Sequence, residues 1–298
     1  MLDQQQPQLV RCRRCTNMVD FSSGRCPICG ATDDDFGPAS THRGQFARLS
    51  TYSAIVARLQ WDANAIDLTA DARAWPRLPT DRRARLTTLL ASFCIAEEAV
   101  SEHLEPFAGA TDDTLLAWVL FLQRRDEARH ARLFDRIAAE VMGLPGDTAA
   151  ERRAAARTHV SEPILGLFEE TLPALAAKLA RGEAELSQAI SLYHMQLEGV
   201  VFTAGQRALL AELEDGTLPG ILEGVTRVDR DERWHIGLGL RHLSQARPSP
   251  AQIDELLADA ETAVESWGDV VPAATKRYAV TMCHRRMSVA GLLQPSVA

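Results

Sequence analysis

From about residue 41 onward apolar residues return at intervals of three and four, and alternating runs of Val, Ile or Thr are almost absent. That period predicts a body built nearly entirely of α-helices, each turning one face to a common core. Breaks at Glu105-Pro106 through Gly109, at Gly143-Leu144-Pro145-Gly146, at Gly182, at Gly216 to Pro219 and at Pro248-Ser249-Pro250 divide the pattern. The expected helices cover about 80–107, 112–142, 161–180, 183–213, 220–243, 251–267 and 273–289. Two of them exceed ordinary globular length, and helices that long pair lengthwise in a bundle. The first forty residues break the pattern. Residues 31–40, ATDDDFGPAS, are acidic and carry Gly and Pro, the composition of a linker, so a small module over 1–40 and a helical domain over 41–298 are expected.

The 298 residues suit one large domain plus something small, and a hydrophobic content of 46% can fill its core. Lys and Arg total 32 against 40 Asp and Glu, a net charge of −8 with no polybasic run, which argues against a nucleic-acid partner. The start, MLDQQQPQLVRCRRC, lacks the apolar core of a signal peptide, and no run of about 18 apolar residues occurs that could span a membrane. A soluble cytoplasmic protein is the expectation. Four of the six cysteines, Cys12, Cys15, Cys26 and Cys29, form two C-x-x-C pairs in the first thirty residues, whereas Cys94 and Cys283 lie far away. In a reducing compartment such pairs read as a metal site, and so short a segment could hardly fold without the ion.

The chemistry of the body lies in two copies of D-E-x-x-H: Asp126-Glu127-Ala128-Arg129-His130 and Asp231-Glu232-Arg233-Trp234-His235. A spacing of three puts Glu and His on adjacent turns of one helical face, so each helix offers an oxygen and a nitrogen ligand. One long helix earlier, each motif is preceded by a carboxylate among apolar residues: Glu97 in FCIAEEAV and Glu198 in MQLEGVVF. Burying a lone ionised carboxylate is expensive unless it is paired or bound to a metal. Glu98 shares a stripe with Ser101, Glu102 and Glu105 and is read as facing outward. Intervals of 30 residues from Glu97 to Glu127 and 34 from Glu198 to Glu232 suit a helix, a turn and a helix in each half. Four carboxylates and two imidazoles neutralise two divalent ions, and this donor set favours iron or manganese over copper. Asp126 and Asp231 are candidates to orient the histidines.

The order Glu, E-x-x-H, Glu, E-x-x-H is the ligand pattern of ferritin-like dinuclear carboxylate bundles. Over about residues 59–243 the chain resembles the ribonucleotide reductase small-subunit superfamily, and within it the ligand-binding oxidase branch. The resemblance implies an all-α, ferritin-like bundle in which Glu97, Glu127, His130, Glu198, Glu232 and His235 hold two irons or one manganese and one iron. In that branch a valine three residues after the first Glu ligand and a tyrosine five before the third become joined by an ether bond. Val100 and Tyr193 occupy those places, in a chain with only three tyrosines. A radical-storing reductase subunit usually has Tyr four residues after the first ligand His, where this chain has Phe134, and the tail after Val289 contains no tyrosine. Trp61, 36 residues before Glu97, stands about where the superfamily places an electron-relay tryptophan. His194, four residues before Glu198 and so on the same helical face, is either a seventh ligand, an acid/base or a packed histidine.

The cysteine module resembles a zinc ribbon or a small rubredoxin. Zinc would make it a docking or stabilising element, and iron would make it an electron carrier. Only the second knuckle, Cys26-Pro27-Ile28-Cys29-Gly30, has the rubredoxin form, since Thr16 follows the first. The reading that results is an oxygen-dependent oxidase or oxygenase that uses dioxygen and an electron donor to attack an unactivated C–H bond of a small or long-chain apolar substrate, with a homodimer implied by the resemblance. Amine N-oxygenation, a reductase radical generator, and a metal-storage or redox-sensing adaptor stand as alternatives.

Overall fold

The computed structural model describes residues 9–12, 18–20, 36–38, 46 and 48–293. Three short strands come first, β1 (Leu9–Cys12), β2 (Met18–Asp20) and β3 (Phe36–Pro38), with β1 central and antiparallel to both others. The cysteine site expected within this segment lies outside the described residues, except that the backbone of Cys12 ends β1.

The rest is helical. In chain order come α1 (Leu49–Leu59), α2 (Thr69–Ala74), α3 (Thr80–His103), α4 (Glu105–Gly109), α5 (Thr114–Ile137), α6 (Ala149–Arg157), α7 (Glu162–Leu165), α8 (Leu172–Ala180), α9 (Leu186–Ile190), α10 (Thr203–Leu213), α11 (Pro219–Ala246), α12 (Pro250–Ala263) and α13 (Ala273–Val289). Every expected helix has a counterpart, but three run through π-helical stretches, at Ala138–Met142, Gly166–Thr171 and Ser191–Phe202, so that 186–213 is one continuous rod. The expected 80–107 helix divides at Leu104, one residue before Glu105-Pro106 opens α4. Helices α1, α2 and α6 were not anticipated. The last two are only six and nine residues long, and α6 buries a single residue, Ala156, so neither carries a readable stripe. Among the described residues no helix is long and apolar enough to cross a membrane.

Two helix pairs form the heart of the bundle. α3 lies along α5, and the 186–213 rod lies along α11, with α12 and α13 packed on the rod's outer side. Almost every residue of α3 from Leu89 to Val100 is buried, because helices surround it. An aromatic cluster fills the space between the pairs: Phe93 stacks on Phe134 at 5.3 Å and meets Phe202 and Trp267 at 5.5 and 5.8 Å.

Capping fixes where the motif-bearing helices begin. The Asp113 carboxylate accepts from the backbone N–H groups of Leu115 and Leu116 and starts α5. α11 starts at Pro219, and its exposed N–H groups are met from far away in sequence: Asp71, fully buried on α2, accepts from Gly220 and Ile221 at 2.9 Å each. Gly220 is required there, since a Cβ would lie 2.2 Å from the Asp67 carbonyl. Asp71→Ala should therefore destabilise the chain by about 2 kcal/mol, lowering Tm by a few degrees, with Asp71→Asn milder. Thermal unfolding checks this, and an unchanged Tm for Asp71→Ala would show the cap to be dispensable.

Candidate metal centre

The two helix pairs bring all six expected side chains to one place. Ligand atoms of Glu97, Glu127, His130 and Glu232 lie within 4.8 Å of one another, as do those of Glu127, Glu198, Glu232 and His235. None of the six is more than 2% exposed. Glu127 and Glu232 belong to both groups, and their geometry shows why. Glu127 turns Oε2 toward His130 Nδ1 (3.2 Å) and Oε1 toward His235 Nδ1 (2.9 Å). Glu232 does the same with Oε1 and Oε2, at 3.5 Å from each imidazole. Glu97 reaches only the His130 side (3.5 Å) and Glu198 only the His235 side (2.9 Å). The arrangement is two half-sites sharing two straddling carboxylates.

Both histidines point Nδ1 inward, which leaves Nε2 for a second carboxylate. The pairing is crossed between the motifs: His130 Nε2 faces Asp231 Oδ2 at 3.4 Å, and His235 Nε2 faces Asp126 Oδ2 at 3.8 Å. The Asp231 contact is within hydrogen-bond reach and fixes the tautomer and orientation of His130, as metal-binding imidazoles require, whereas the longer Asp126 contact at His235 is electrostatic only. Arg129 bridges the two aspartates at 2.8 and 2.9 Å, and Trp61 Nε1 donates to Asp231 at 2.7 Å while its ring stacks on His130.

The Glu198 side is shaped by the π-helical stretch. The wider π-helical turn brings residues five apart toward one face, so Tyr193, as well as His194, reaches the Glu198 side. Tyr193 is thereby brought to the centre, donating its phenolic hydrogen to Glu127 Oε1 at 2.6 Å. His194 lies outside both ligand groups, its Nε2 3.0 Å from Gln123 Oε1 and its Cβ against the backbone at Gly239. Side chains satisfy carbonyls along the loosened backbone: Thr203, five residues on in the same rod, bonds Glu198, while Arg286 bonds Gly199 and Trp267 bonds Val201. Val100 is fully buried on α3, and Phe134 is fully enclosed by its aromatic cluster.

Gln123 escaped the sequence reading. Its Nε2 donates to Tyr193 Oη at 3.2 Å and to Glu198 Oε1 at 3.3 Å. The available signal was spacing, since Gln123 stands four residues before Glu127 and so on the same face of α5. Glu98, read as facing outward, is half-buried, and burial raises its carboxyl pKa.

Burial and crowding set the protonation of the metal-free centre. Burial pushes Glu97 up to about 8 against the pull of His130. Burial and the neighbouring Glu232 push Glu198 well above the ordinary carboxylate range. Burial also acts on Glu127, but the two imidazoles outweigh it and hold that carboxyl well below its usual value. The carboxylates in turn overcome burial at His130 and His235 and raise both. Burial and the neighbouring His235 keep His194 neutral. Both oxygens of Glu97, both of Glu232 and Glu198 Oε2 are buried without a hydrogen-bond partner. Five buried carboxylate oxygens without hydrogen-bond partners, in a cluster with two imidazoles, fit a pair of divalent ions.

No protein-family model matches the chain. Among solved structures, an R2-like ligand-binding oxidase variant with an anaerobically reconstituted Mn/Fe cofactor superposes with a TM-score of 0.67 at 22% identity, over 81% of this chain and 92% of that one. Another such Mn/Fe variant gives 0.68 at 22% identity over 88% and 97%. A variant with an aerobically reconstituted Fe/Fe cofactor gives 0.67 at 21% over 81% and 92%. The chain shares the fold of these oxidases.

Because Glu97 retains its proton to about pH 8 in the metal-free centre, ions that bind must displace it. Loading at pH 7 should release at least one proton per filled centre, and apparent affinity should fall as pH falls from 8 to 6. Metal titration in a weakly buffered indicator solution reads both, and loading without proton release would contradict the assignment.

Proposed function

We propose that the chain is an oxygen-dependent dinuclear-metal oxidase or oxygenase in which Glu97, Glu127, His130, Glu198, Glu232 and His235 bind two irons, or one manganese and one iron. The observation that carries this is the pair of straddling carboxylates, which give one oxygen to each of two half-sites in a fully buried cluster. Mn/Fe and Fe/Fe cofactors in proteins of the same fold support it. When bound, such a pair of ions supplies the reduction of dioxygen and the oxidising power to attack an unactivated C–H bond.

The protein's part is to bind, orient and insulate. Asp231 orients the His130 imidazole from behind, and Asp126 faces that of His235. Half-buried Trp61, bonded to Asp231 and through it to His130, provides a route by which an electron donor at the surface reaches the interior. The apolar core around the cluster keeps out water that would quench a reactive species. Phe134 favours oxidation of a substrate over export of a radical, because its ring lacks the phenol that stores one. His194, hydrogen-bonded to Gln123, gives amine N-oxygenation no additional ligand. Val100 and Tyr193 are proposed to form an ether: the valine Cβ–H and the phenolic hydrogen leave as two protons and two electrons taken up by dioxygen. Cys12, Cys15, Cys26 and Cys29 are proposed to hold one zinc, or an iron.

A homodimer is proposed through α5. Leu115, Trp118 and Phe121 are the exposed large apolar side chains among the described residues, and the two rings stack at 5.4 Å. Asp112 and Asp113 precede this stripe and Arg125 follows it, so an antiparallel contact with a second copy sets opposite charges end to end. Trp118→Glu should give a monomer by sedimentation, and an unchanged assembly would exclude this face.

Metal analysis after anaerobic reconstitution with both iron and manganese tests the main reading. Two such ions per chain are expected beside about one zinc, with one lost in Glu198→Ala. The aerobically loaded chain should then consume oxygen and lose two hydrogens in mass. Zinc alone would refute the dinuclear oxidase.

A further inference from the structure

We propose that Gln123 is a positioning residue that holds Glu198 and the Tyr193 phenol in register, and that His194 acts through it by fixing which way its amide points. The proposal rests on the dinuclear reading and assigns a role to two buried side chains that it leaves unused.

The direction of each hydrogen bond follows from what each group can do. Glu198 Oε1 already faces His235 Nδ1 at 2.9 Å and is an accepting oxygen whether or not Oε2 carries a proton, so the amide turns its NH2 toward it, and that NH2 donates to both Glu198 Oε1 (3.3 Å) and Tyr193 Oη (3.2 Å). The amide oxygen then faces His194 Nε2 at 3.0 Å, which requires the hydrogen on Nε2 and leaves Nδ1 without a partner. A flipped amide would set its oxygen against Glu198 Oε1 and lose both bonds of its NH2, so the observed orientation is the favoured one and His194 anchors its oxygen as the Nε2–H tautomer. Because Tyr193 Oη accepts from Gln123, its own hydrogen is directed to Glu127 Oε1 at 2.6 Å. His194, Gln123, Tyr193 and Glu198 are all 0% exposed, so water does not replace a lost bond. Gly239 leaves the room in which the imidazole lies, since a Cβ there would stand 2.4 Å from His194 Cβ.

The device belongs to one half of the centre only. Position by position, the other half has Val228 four residues before Glu232 where Gln123 precedes Glu127, and Ser92 and Phe93 before Glu97 where Tyr193 and His194 precede Glu198. Ser92 bonds back to the Thr88 carbonyl, and both Glu97 oxygens lack a hydrogen-bond partner. Loss of Gln123 should therefore weaken the Glu198 and His235 half-site and spare the other.

Anaerobic titration of the metal-free full chain with Mn(II), counting free ion by electron paramagnetic resonance, reads the two half-sites without turnover. Wild type should take up two ions, and Gln123→Leu should weaken one by about 10- to 100-fold while leaving the other unchanged. His194→Phe, which keeps a ring but loses the donor, should weaken the same ion, and His194→Gln should restore it. With 3-fluorotyrosine incorporated, the fluorine resonance that disappears in Tyr193→Phe should move in Gln123→Leu and His194→Phe and return in His194→Gln. If Gln123→Leu folds poorly, Gln123→Met and the His194 variants carry the same comparison. Two ions bound with unchanged affinity in these variants would overturn the proposal and leave the dinuclear reading intact. Equal weakening of both ions with a lowered Tm would reduce Gln123 to packing and also overturn it. Fewer than two ions in wild type would remove the dinuclear reading and this proposal together.

Discussion

Four carboxylates forced into one dry space repel one another, and the rest of the bundle is organised around that cost. At 4.8 Å and an effective dielectric near 20, each like-charged pair costs about 3 kcal/mol. The five pairs that lie within the two groups would together rival or exceed the roughly 5–15 kcal/mol by which a typical domain is stable. The cluster persists only if protons or cations neutralise it. Raised values at Glu97 and Glu198 show the proton solution, and the imidazoles beside Glu127 show a partial cationic one. Two divalent ions are the fuller solution, and their binding energy would also be folding energy for the helices that carry the ligands.

The half-sites are coupled by construction. Since Glu127 and Glu232 each give an oxygen to both, a change at either shared ligand alters both halves at once. The crossed outer pairing strengthens this tie. Asp231, from the second motif, backs the imidazole of the first, Asp126 backs the imidazole of the second, and Arg129 joins both aspartates. D-E-x-x-H therefore works as a pair of motifs on facing helices, and a single copy would lack its orienting carboxylate.

Local periodicity made the long helices of the body legible, though not α1, α2 or α6, and all six candidate ligands stood out because E-x-x-H and an apolar-face glutamate are patterns confined to one or two turns. What escaped is non-local or depends on winding. Asp71 caps a helix that begins 148 residues later at Pro219, and nothing within α2 announces it. Gln123 looks like one more polar residue on a charged helix until Tyr193 and Glu198 arrive from another rod. An α-helical period does not bring Tyr193 to the Glu198 face, and the π-helical stretch does, while His194 bonds to Gln123. A sequence reveals hydrophobic period more readily than where that period locally lengthens.

Because the ligands themselves are nearly symmetric, any difference between the half-sites must come from what lies behind them. On the His130 side stand Asp231, Arg129 and the half-buried Trp61, a charged, hydrogen-bonded chain that leads outward. On the Glu198 side stand Gln123, Tyr193 and His194, uncharged and fully buried, closed off by the backbone at Gly239. One face of the centre reaches outward through half-buried Trp61 while the other is sealed and held by directional hydrogen bonds. The proposed oxidase reaction, which would take electrons from outside and keep an oxidising species from escaping, would use both kinds of face. A bundle with two pseudo-equivalent halves supplies them by differentiating the residues just beyond its ligands.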